Sequence, residues 1–396
     1  MTRFSWRHIR IWHICLLTVA IRMLIWMTIY HPDGYSHLTR DDGVYQLAME
    51  ELKAGQLLSS IKIMPGYPAI LVLVGGFPNV IYFNWLLSAL GCWLLYSWTS
   101  SISHALGRDR AHQAGVWAAI GYACWPTLIY FSDHAYTEVP FTTCLIAIVW
   151  CWHHRYFWQG SMIAVLSILI RPTLDILAPL LLLSYLLVHR SPRRTIFMEM
   201  GKYVFIYLLF LAPWWWHNTQ KYDQFVRLNH GMGEVWYHGQ VNVPSDTTGI
   251  WVGDHLYDLG IYADIPDPIQ RDQALREAVM QHFAEHPIDL LRAPLLNLRK
   301  FWLGPSEVFW GLRGWIVWGL SLALVMLFAW ALVGWLRMSN RGILWFPILL
   351  TILYFSGVHA FLHGEPRYRI PIDPLLMGWV AYSVSRWLDQ RKASGV

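Results

Sequence analysis

Two adjacent carboxylates, Asp41 and Asp42, stand just beyond the first apolar stretch of this 396-residue sequence. A carboxylate in such a place can take the proton of a hydroxyl that attacks an anomeric carbon, or it can hold a metal ion. The alternative is that Asp41 only caps the helix that follows, because Asp is a common N-cap residue. A capping carboxylate is also held in place, so the two interpretations are compatible and the pair alone does not decide between them.

Arg171 is a candidate for binding an anion. The apolar helix before it, Trp158–Ile170, rises only about 20 Å and does not cross a hydrocarbon core of roughly 30 Å. A guanidinium below the membrane surface is costly and is usually functional or paired. Arg binds phosphate through a two-pronged fork, so we expect Arg171 to hold an anionic lipid head group. The alternative is an ion pair with Asp175, four residues further on.

Arg367 and Arg369 are candidates for the same task. They lie at the outer end of a later apolar helix, in the run Glu365-Pro366-Arg367-Tyr368-Arg369. Arginines there oppose the usual excess of cations on the cytoplasmic side. Beside Arg171 they would stabilise the charge on a departing phosphate. The alternatives are snorkelling to the interface and neutralisation by Glu365.

Further polar residues form two weaker patterns. Asp133, His134 and Glu138 lie at one turn and, with Glu365, are candidates for binding sugar hydroxyls or a metal, although solvation of a loop is the commoner role of such residues. His359 and His363 are four apart, which is ligand-like spacing on a helix, but no third ligand accompanies them. A divalent metal is therefore left open, and no cofactor is assigned.

The composition shows which elements must position these residues. The chain is 56% hydrophobic and 14% charged, with a mean hydropathy of +0.34, whereas an average globular chain is roughly 25% charged. An all-α polytopic membrane protein explains this best, with about ten transmembrane helices. The candidate spans are Ile11–Tyr30, Ile81–Ile102, Ala114–Phe131, Tyr136–Trp152, Trp158–Ile170, Leu174–Val188, Tyr203–Trp216, Gly314–Leu336, Ile343–Leu362 and Ile370–Trp387.

The distribution of charge predicts the orientation. Lys and Arg cluster in alternate short segments, for example Arg190, Arg193 and Arg194, whereas most acids fall in the segments between. By the positive-inside rule both termini are cytoplasmic, and the candidate residues above lie at the outer (periplasmic) face of the cytoplasmic membrane. The basic loops are short and scattered, which argues against a nucleic-acid partner.

This topology divides the chain into three parts. Residues 1–216 form a transmembrane module with a first outer loop at 31–65, residues 217–313 form a small outer layer, and residues 314–396 form the C-terminal transmembrane helices. Apolar spacing over Val44–Leu52 predicts an amphipathic helix on the membrane surface that ends near Gly55. Tyr67–Phe77 is expected to be interfacial or re-entrant. In the outer layer, a loop is followed by two helices over Asp267–Phe301, interrupted at His286-Pro287.

Several motifs, in this order and placement, resemble the C-type glycosyltransferases (GT-C), specifically the superfamily of dolichyl-phosphate-mannose–protein mannosyltransferases and lipid A aminoarabinose transferases. The motifs are Asp41-Asp42-Gly43-Val44-Tyr45, Met64-Pro65-Gly66-Tyr67-Pro68, Arg171-Pro172, Pro213 to Asn218, Ala284-Glu285-His286-Pro287 and Arg367 to Pro374. Two positions depart from the family pattern. His217 replaces an Arg, and Met64 stands where some relatives carry a Lys.

The resemblance implies a GT-C-like helical bundle and an enzyme that takes a sugar from a polyprenyl-phosphate carrier. It implies that Asp41 is the catalytic carboxylate and that Arg171 holds the lipid phosphate, with Tyr45 and Tyr368 beside the donor. The acceptor would be a hydroxyl of a lipid, glycan or protein, and the outcome inversion. Sugar, acceptor, carrier length and oligomeric state do not follow from the sequence.

Two other functions fit part of the pattern. A transporter or lipid flippase would show internal repeats and midplane charges; we find no repeat, and apart from Arg22 and Asp175 the charges lie at the outer interface. A structural partner in an envelope assembly would tolerate neutralisation of Asp41 and Arg171 together.

Overall fold

A computed structural model describes residues 10–30, 40–60, 62–242, 264–303, 314–337 and 340–394. These residues contain sixteen α-helices and no β-strand. The all-α prediction is therefore confirmed for the part of the chain that the structure describes.

All ten predicted apolar segments lie in helices. They are α1 (Ile11–Ile25, continued by a π-helical turn to Tyr30), α4 (Asn79–Ala105), α5 (Ala111–Cys124) with α6 (Pro126–Ser132), α7 (Glu138–His153), α8 (Phe157–Ile170), α9 (Leu174–Val188), α10 (Arg193–Tyr222), α14 (Gly314–Leu336), α15 (Phe346–Phe361) and α16 (Asp373–Ala393).

Only some of the described apolar helices have the length of a membrane crossing. Within the described ranges, five helices are long and apolar enough to cross a membrane, or six if α5 and α6 are one bent span. Helices α7, α8 and α9 are apolar but shorter. Ten crossings therefore stay a prediction.

A proline sets the bend between α5 and α6. Trp125 has extended backbone angles (φ −73°, ψ 118°) because the residue before a proline is disfavoured in the helical region. Pro126 then starts α6, and the two helix axes differ by 55°. Helix α6 ends at Ser132, and a short turn connects it to α7, which begins at Glu138. The direction of α6 therefore determines where Glu138 lies.

The segments predicted to form surface helices are helical. Helix α2 spans Arg40–Lys53, α3 spans Gly66–Val74, α12 spans Pro268–Glu285 and α13 spans Asp289–Leu303. Helix α2 stops before Gly55, whose positive φ of 68° ends the run. Because α2 begins at Arg40, Asp41 lies in its first turn and not at the N-cap.

The outer layer is more helical than predicted. Helix α10 continues to Tyr222, past the predicted end at Trp216, and the expected loop contains α11 (Met232–Tyr237) and a π-helical turn (His238–Asn242). The C-terminal part of α10 carries contacts from outside the helix. Trp214 Nε1 donates to the carbonyl of Leu228 at 2.6 Å, and Asn218 Nδ2 donates to that of Val226 at 3.0 Å.

Candidate functional site

A cavity of about 240 Å³ lies where the predicted first outer loop, the predicted outer layer and the ends of α7, α8 and α15 meet. Its polar wall includes Tyr45, Lys62, Arg171, His359 and Tyr368. Met64, Phe141 and Phe355 are among the apolar residues that line it. The cavity is smaller than the roughly 300–1,000 Å³ of drug-sized ligand sites, so it suits one compact head group.

Arg171 is held at the cavity by Glu138. It follows the last residue of α8 with extended backbone angles, and its Nη2 donates to Glu138 Oε1 at 2.7 Å. The predicted alternative, a pair with Asp175, is not formed. Asp175 instead accepts a hydrogen bond from Tyr207 at 2.6 Å and pairs with Arg227.

Arg367 shares the same carboxylate oxygen. Its Nε donates to Glu138 Oε1 at 2.5 Å, and its guanidinium lies over the ring of Tyr136 at 4.5 Å. Glu138 is fully buried, and its Oε2 makes no hydrogen bond with the described residues. Two guanidinium groups thus share one carboxylate oxygen, and Arg171 presents its guanidinium at the cavity wall.

Aromatic rings fix the neighbouring parts of the wall. Tyr45 on α2 meets Tyr67 on α3 edge-on, with ring centroids 4.8 Å apart. Tyr368 lies in a 3₁₀ turn, Pro366–Arg369, and stacks on His359 at 4.6 Å. Both tyrosines predicted to lie beside the donor therefore line the same cavity as Arg171.

The structure does not bring Arg369 to this cavity. Its side chain is 2% exposed and donates to Asp373 at 2.7 Å, to the Trp302 carbonyl at 2.7 Å and to Ser321 at 3.1 Å. Arg369 thus joins the 3₁₀ turn, α13, α14 and α16. Its predicted contact with phosphate finds no support in this arrangement.

Asp133, His134 and Glu365 also lie apart from the cavity wall. Asp133 is buried and accepts a hydrogen bond from Trp85 Nε1 at 2.9 Å; burial raises its pKa to about 7. His134 bonds the carbonyl of Tyr130 at 2.9 Å, and burial lowers its pKa. The backbone carbonyl of Glu365 accepts from the amide of Tyr368 at 3.1 Å at the start of the 3₁₀ turn.

The side chains of Asp41 and Asp42 lie outside the part of the chain that the structure describes. Their helix can still be placed, because Tyr45 on α2 lines the cavity. Positions 41 and 45 are four apart and so lie on one face of a helix. The catalytic role of the acidic pair remains a prediction.

Metal binding by the described residues finds no support. No group of three or more His, Cys, Asp or Glu with the geometry of a metal site occurs among them. In the predicted pair, His359 Nδ1 lies 3.2 Å from the backbone carbonyl of His363.

The sequence model of glycosyltransferase family 87 matches residues 65–262, which is half of the chain. The chain belongs to glycosyltransferase family 87. No functionally curated protein matches its sequence.

Two archaeal structures share the fold of this family 87 protein, and a third solved structure is less similar. The Archaeoglobus fulgidus oligosaccharyltransferase in complex with Zn and sulfate has a TM-score of 0.57 and 13% identity, over 96% of this chain and 49% of that one. The oligosaccharyltransferase AglB from the same organism, with an inhibitory peptide and a dolichol-phosphate, has a TM-score of 0.56 and 12% identity over 96% and 50%. ArnT from Cupriavidus metallidurans, bound to undecaprenyl phosphate, has a TM-score of 0.39 and 13% identity over 96% and 78%.

The chain spans about half the length of the archaeal enzyme. At such low identity the likeness shows the fold alone, and that fold is the GT-C fold that the motifs predicted. The family match makes this protein a glycosyltransferase, and its long apolar helices make it a multi-pass membrane protein.

Lys62 and Asn229 are polar residues of the cavity wall of this family 87 protein that were not predicted. Lys62 pairs with Glu234 of the outer layer, and Asn229 Nδ2 donates to the Lys62 carbonyl at 2.7 Å. The sequence contained a hint of Lys62. Some relatives carry a Lys at the position of Met64, and Lys62 lies only two residues before that position. Asn229 gave no such signal, since its place depends on the fold of the outer layer.

Asn297 on α13 holds the segment that carries the 3₁₀ turn. This buried side chain donates to the carbonyls of Gly239 at 2.8 Å and Ala360 at 3.1 Å and accepts from the amide of Gly364 at 3.1 Å. Asn297 is therefore a positioning residue for Arg367 and Tyr368.

Replacing Asn297 by Leu is expected to destabilise the protein. Each buried polar group left without a partner costs roughly 1–3 kcal/mol, and the substitution removes the Asn297 partner of the Gly239 carbonyl and of the Gly364 amide, while the Ala360 carbonyl still accepts from Gln240 at 3.2 Å. We expect a clearly lower thermal unfolding midpoint in detergent than for Gln273→Leu, which alters an exposed side chain on α12. Equal midpoints for the two variants would show that Asn297 does not hold this segment.

Proposed function

We propose that this glycosyltransferase transfers a monosaccharide from a polyprenyl-phosphate carrier to a hydroxyl of a lipid, glycan or protein acceptor. The observation that carries the proposal is the cavity wall where Arg171, backed by Glu138 and Arg367, supplies positive charge beside Tyr45 and Tyr368. A phosphate is the natural ligand of such a wall, because a guanidinium donates two parallel hydrogen bonds to its oxygens.

The shared fold supports a lipid-linked donor. The archaeal structure that contains a dolichol-phosphate has the same fold as this chain. The apolar helices around the cavity would let the prenyl chain stay in the membrane while its phosphate reaches Arg171. In this proposal the site faces the exterior, and both termini are cytoplasmic. Residues 1–216 and 314–396 form the membrane part, with 217–313 as the outer layer.

The reaction follows from these roles. Asp41 takes the proton of the acceptor hydroxyl, whose oxygen attacks the anomeric carbon. The bond from that carbon to the phosphate oxygen breaks, and the electron pair leaves with polyprenyl phosphate, whose charge Arg171 stabilises. One base and one leaving group give a single displacement, so the configuration at the anomeric carbon inverts.

The direct test is incubation of the purified protein with a panel of polyprenyl-phosphate monosaccharides and a membrane extract as the source of acceptor. We expect release of polyprenyl phosphate with at least one donor and incorporation of its labelled sugar into product. Movement of the intact lipid across proteoliposomes, with no covalent product from any donor, would instead establish a transporter or flippase.

A further inference from the structure

His359 has the geometry of a recognition residue, although the proposed reaction assigns it no role. It lines the cavity that contains Arg171. Its ring stacks between Phe301, at 5.4 Å and 11°, and Tyr368, at 4.6 Å and 10°. The two aromatic partners and the backbone bond to His363 leave the imidazole one orientation.

The hydrogen bond from Nδ1 to the His363 carbonyl also determines whether Nε2 donates or accepts a hydrogen bond. A carbonyl can only accept, so His359 Nδ1 donates to the carbonyl of His363 over 3.2 Å. In the neutral ring Nε2 then carries a lone pair and can only accept. Nε2 makes no hydrogen bond with the residues that the structure describes, and it is not sealed from the cavity.

His359 Nε2, a hydrogen-bond acceptor, shares the cavity with side chains that donate hydrogen bonds. Arg171 and Lys62 line the same cavity, and both side chains can only donate hydrogen bonds. Phosphate oxygens accept, so they match the arginine and not the imidazole. The group that complements Nε2 is a hydroxyl, and a sugar attached to the bound phosphate carries hydroxyl groups next to it.

We propose that His359 recognises the donor sugar, with Nε2 accepting a hydrogen bond from one ring hydroxyl while Arg171 holds the phosphate. The inference rests on the proposed function and names its substrate class more closely. The donor is a monosaccharide with a free hydroxyl at the position that faces α15, and a donor that is deoxy or acylated there is rejected. Binding of polyprenyl phosphate without a sugar does not involve His359.

The test compares donors within each variant. His359→Phe keeps an aromatic ring in the stack and removes the acceptor. Wild type is expected to lose about tenfold to hundredfold in kcat/KM with one monodeoxy analogue of its donor, whereas His359→Phe is expected to turn over that analogue and the parent equally. Each ratio is internal to one preparation, so a smaller folded fraction does not affect it. Binding of polyprenyl phosphate should be unchanged.

His154→Phe is the matched control. His154 Nδ1 bonds the Trp150 carbonyl at 2.9 Å and its ring packs on Trp150, but it lies at the end of α7 opposite Glu138. It should retain the wild-type discrimination.

Two results would overturn the assignment of His359. One is a His359→Phe variant with the same analogue ratios as wild type. The other is loss of polyprenyl phosphate binding in that variant, which would show that the ring only supports the wall. In both cases wild type still turns over its donor. Failure of wild type to act on any donor would instead overturn the proposed function, and this inference with it.

Discussion

Replacing Asp41 by Asn is expected to reduce sugar transfer by about 10²–10⁴-fold, because proton transfer by a positioned side chain contributes an acceleration of that size. The amide has nearly the shape of the carboxylate but cannot take a proton. Position 41 lies one helical turn before Tyr45, which lines the cavity. The loss should therefore appear in kcat, with binding of polyprenyl phosphate retained, in an assay of polyprenyl phosphate release.

Glu50→Gln is the control for that substitution. It makes the same change of charge on the same helix, at an exposed side chain that pairs only with Lys53 at 3.1 Å among the contacts described. Its turnover should stay within a factor of about two of wild type, since exposed ion pairs contribute little. Normal turnover by Asp41→Asn would remove Asp41 from the mechanism and leave position 42, three residues before Tyr45 on the same helix, as the carboxylate to test.

The helices could be predicted from the sequence because a lipid-facing helix must be apolar, and apolar runs are local. The contacts that determine where a helix ends can come from residues that are distant in the sequence. The last turns of α10 depend on Trp214 and Asn218 binding carbonyls of Leu228 and Val226, a segment that the sequence offers only as loop. The end of α2 at Gly55 was predictable because a glycine with positive φ needs no distant partner.

In the site, too, some residues could be predicted from their neighbours in the sequence, whereas their partners depend on the tertiary fold. Arg171 could be predicted from the short helix before it, yet its partner is Glu138 on α7 and not the nearby Asp175. Arg367 and Arg369 are equivalent in sequence, but a 3₁₀ turn sends one to Glu138 and the other to Asp373. His359 fits a metal-ligand spacing, and only the contact of Nδ1 with a carbonyl shows its acceptor nitrogen.

This arrangement assigns different tasks to the two arginines that share Glu138. Arg171 lines the cavity, so it would touch the phosphate itself. Arg367 holds the other side of the shared carboxylate oxygen and packs on Tyr136, so it is a positioning residue for Arg171. The negative charge of Glu138 offsets the repulsion between the two guanidinium groups. Removing one partner of a buried ion pair is costly.

Arg171→Ala is therefore expected to lower kcat/KM by about 10²–10³-fold, the usual cost of removing one donor from a developing negative charge. The same variant should lose most of its affinity for polyprenyl phosphate. Arg171→Lys should recover part of both, because an ammonium keeps the charge and loses the two-pronged geometry. Polyprenyl phosphate binding and release of polyprenyl phosphate from a sugar donor are the two measurements.

Arg227→Ala separates loss of a phosphate ligand from loss of an ion pair. Arg227 also pairs with a buried carboxylate, that of Asp175, but it is not among the residues of the cavity wall. If Arg171 acts on the phosphate, Arg227→Ala keeps its affinity for polyprenyl phosphate even where its thermal stability falls. If both variants lose affinity in proportion to their loss of stability, Arg171 only supports the fold, and the phosphate must bind elsewhere in the outer half of the bundle.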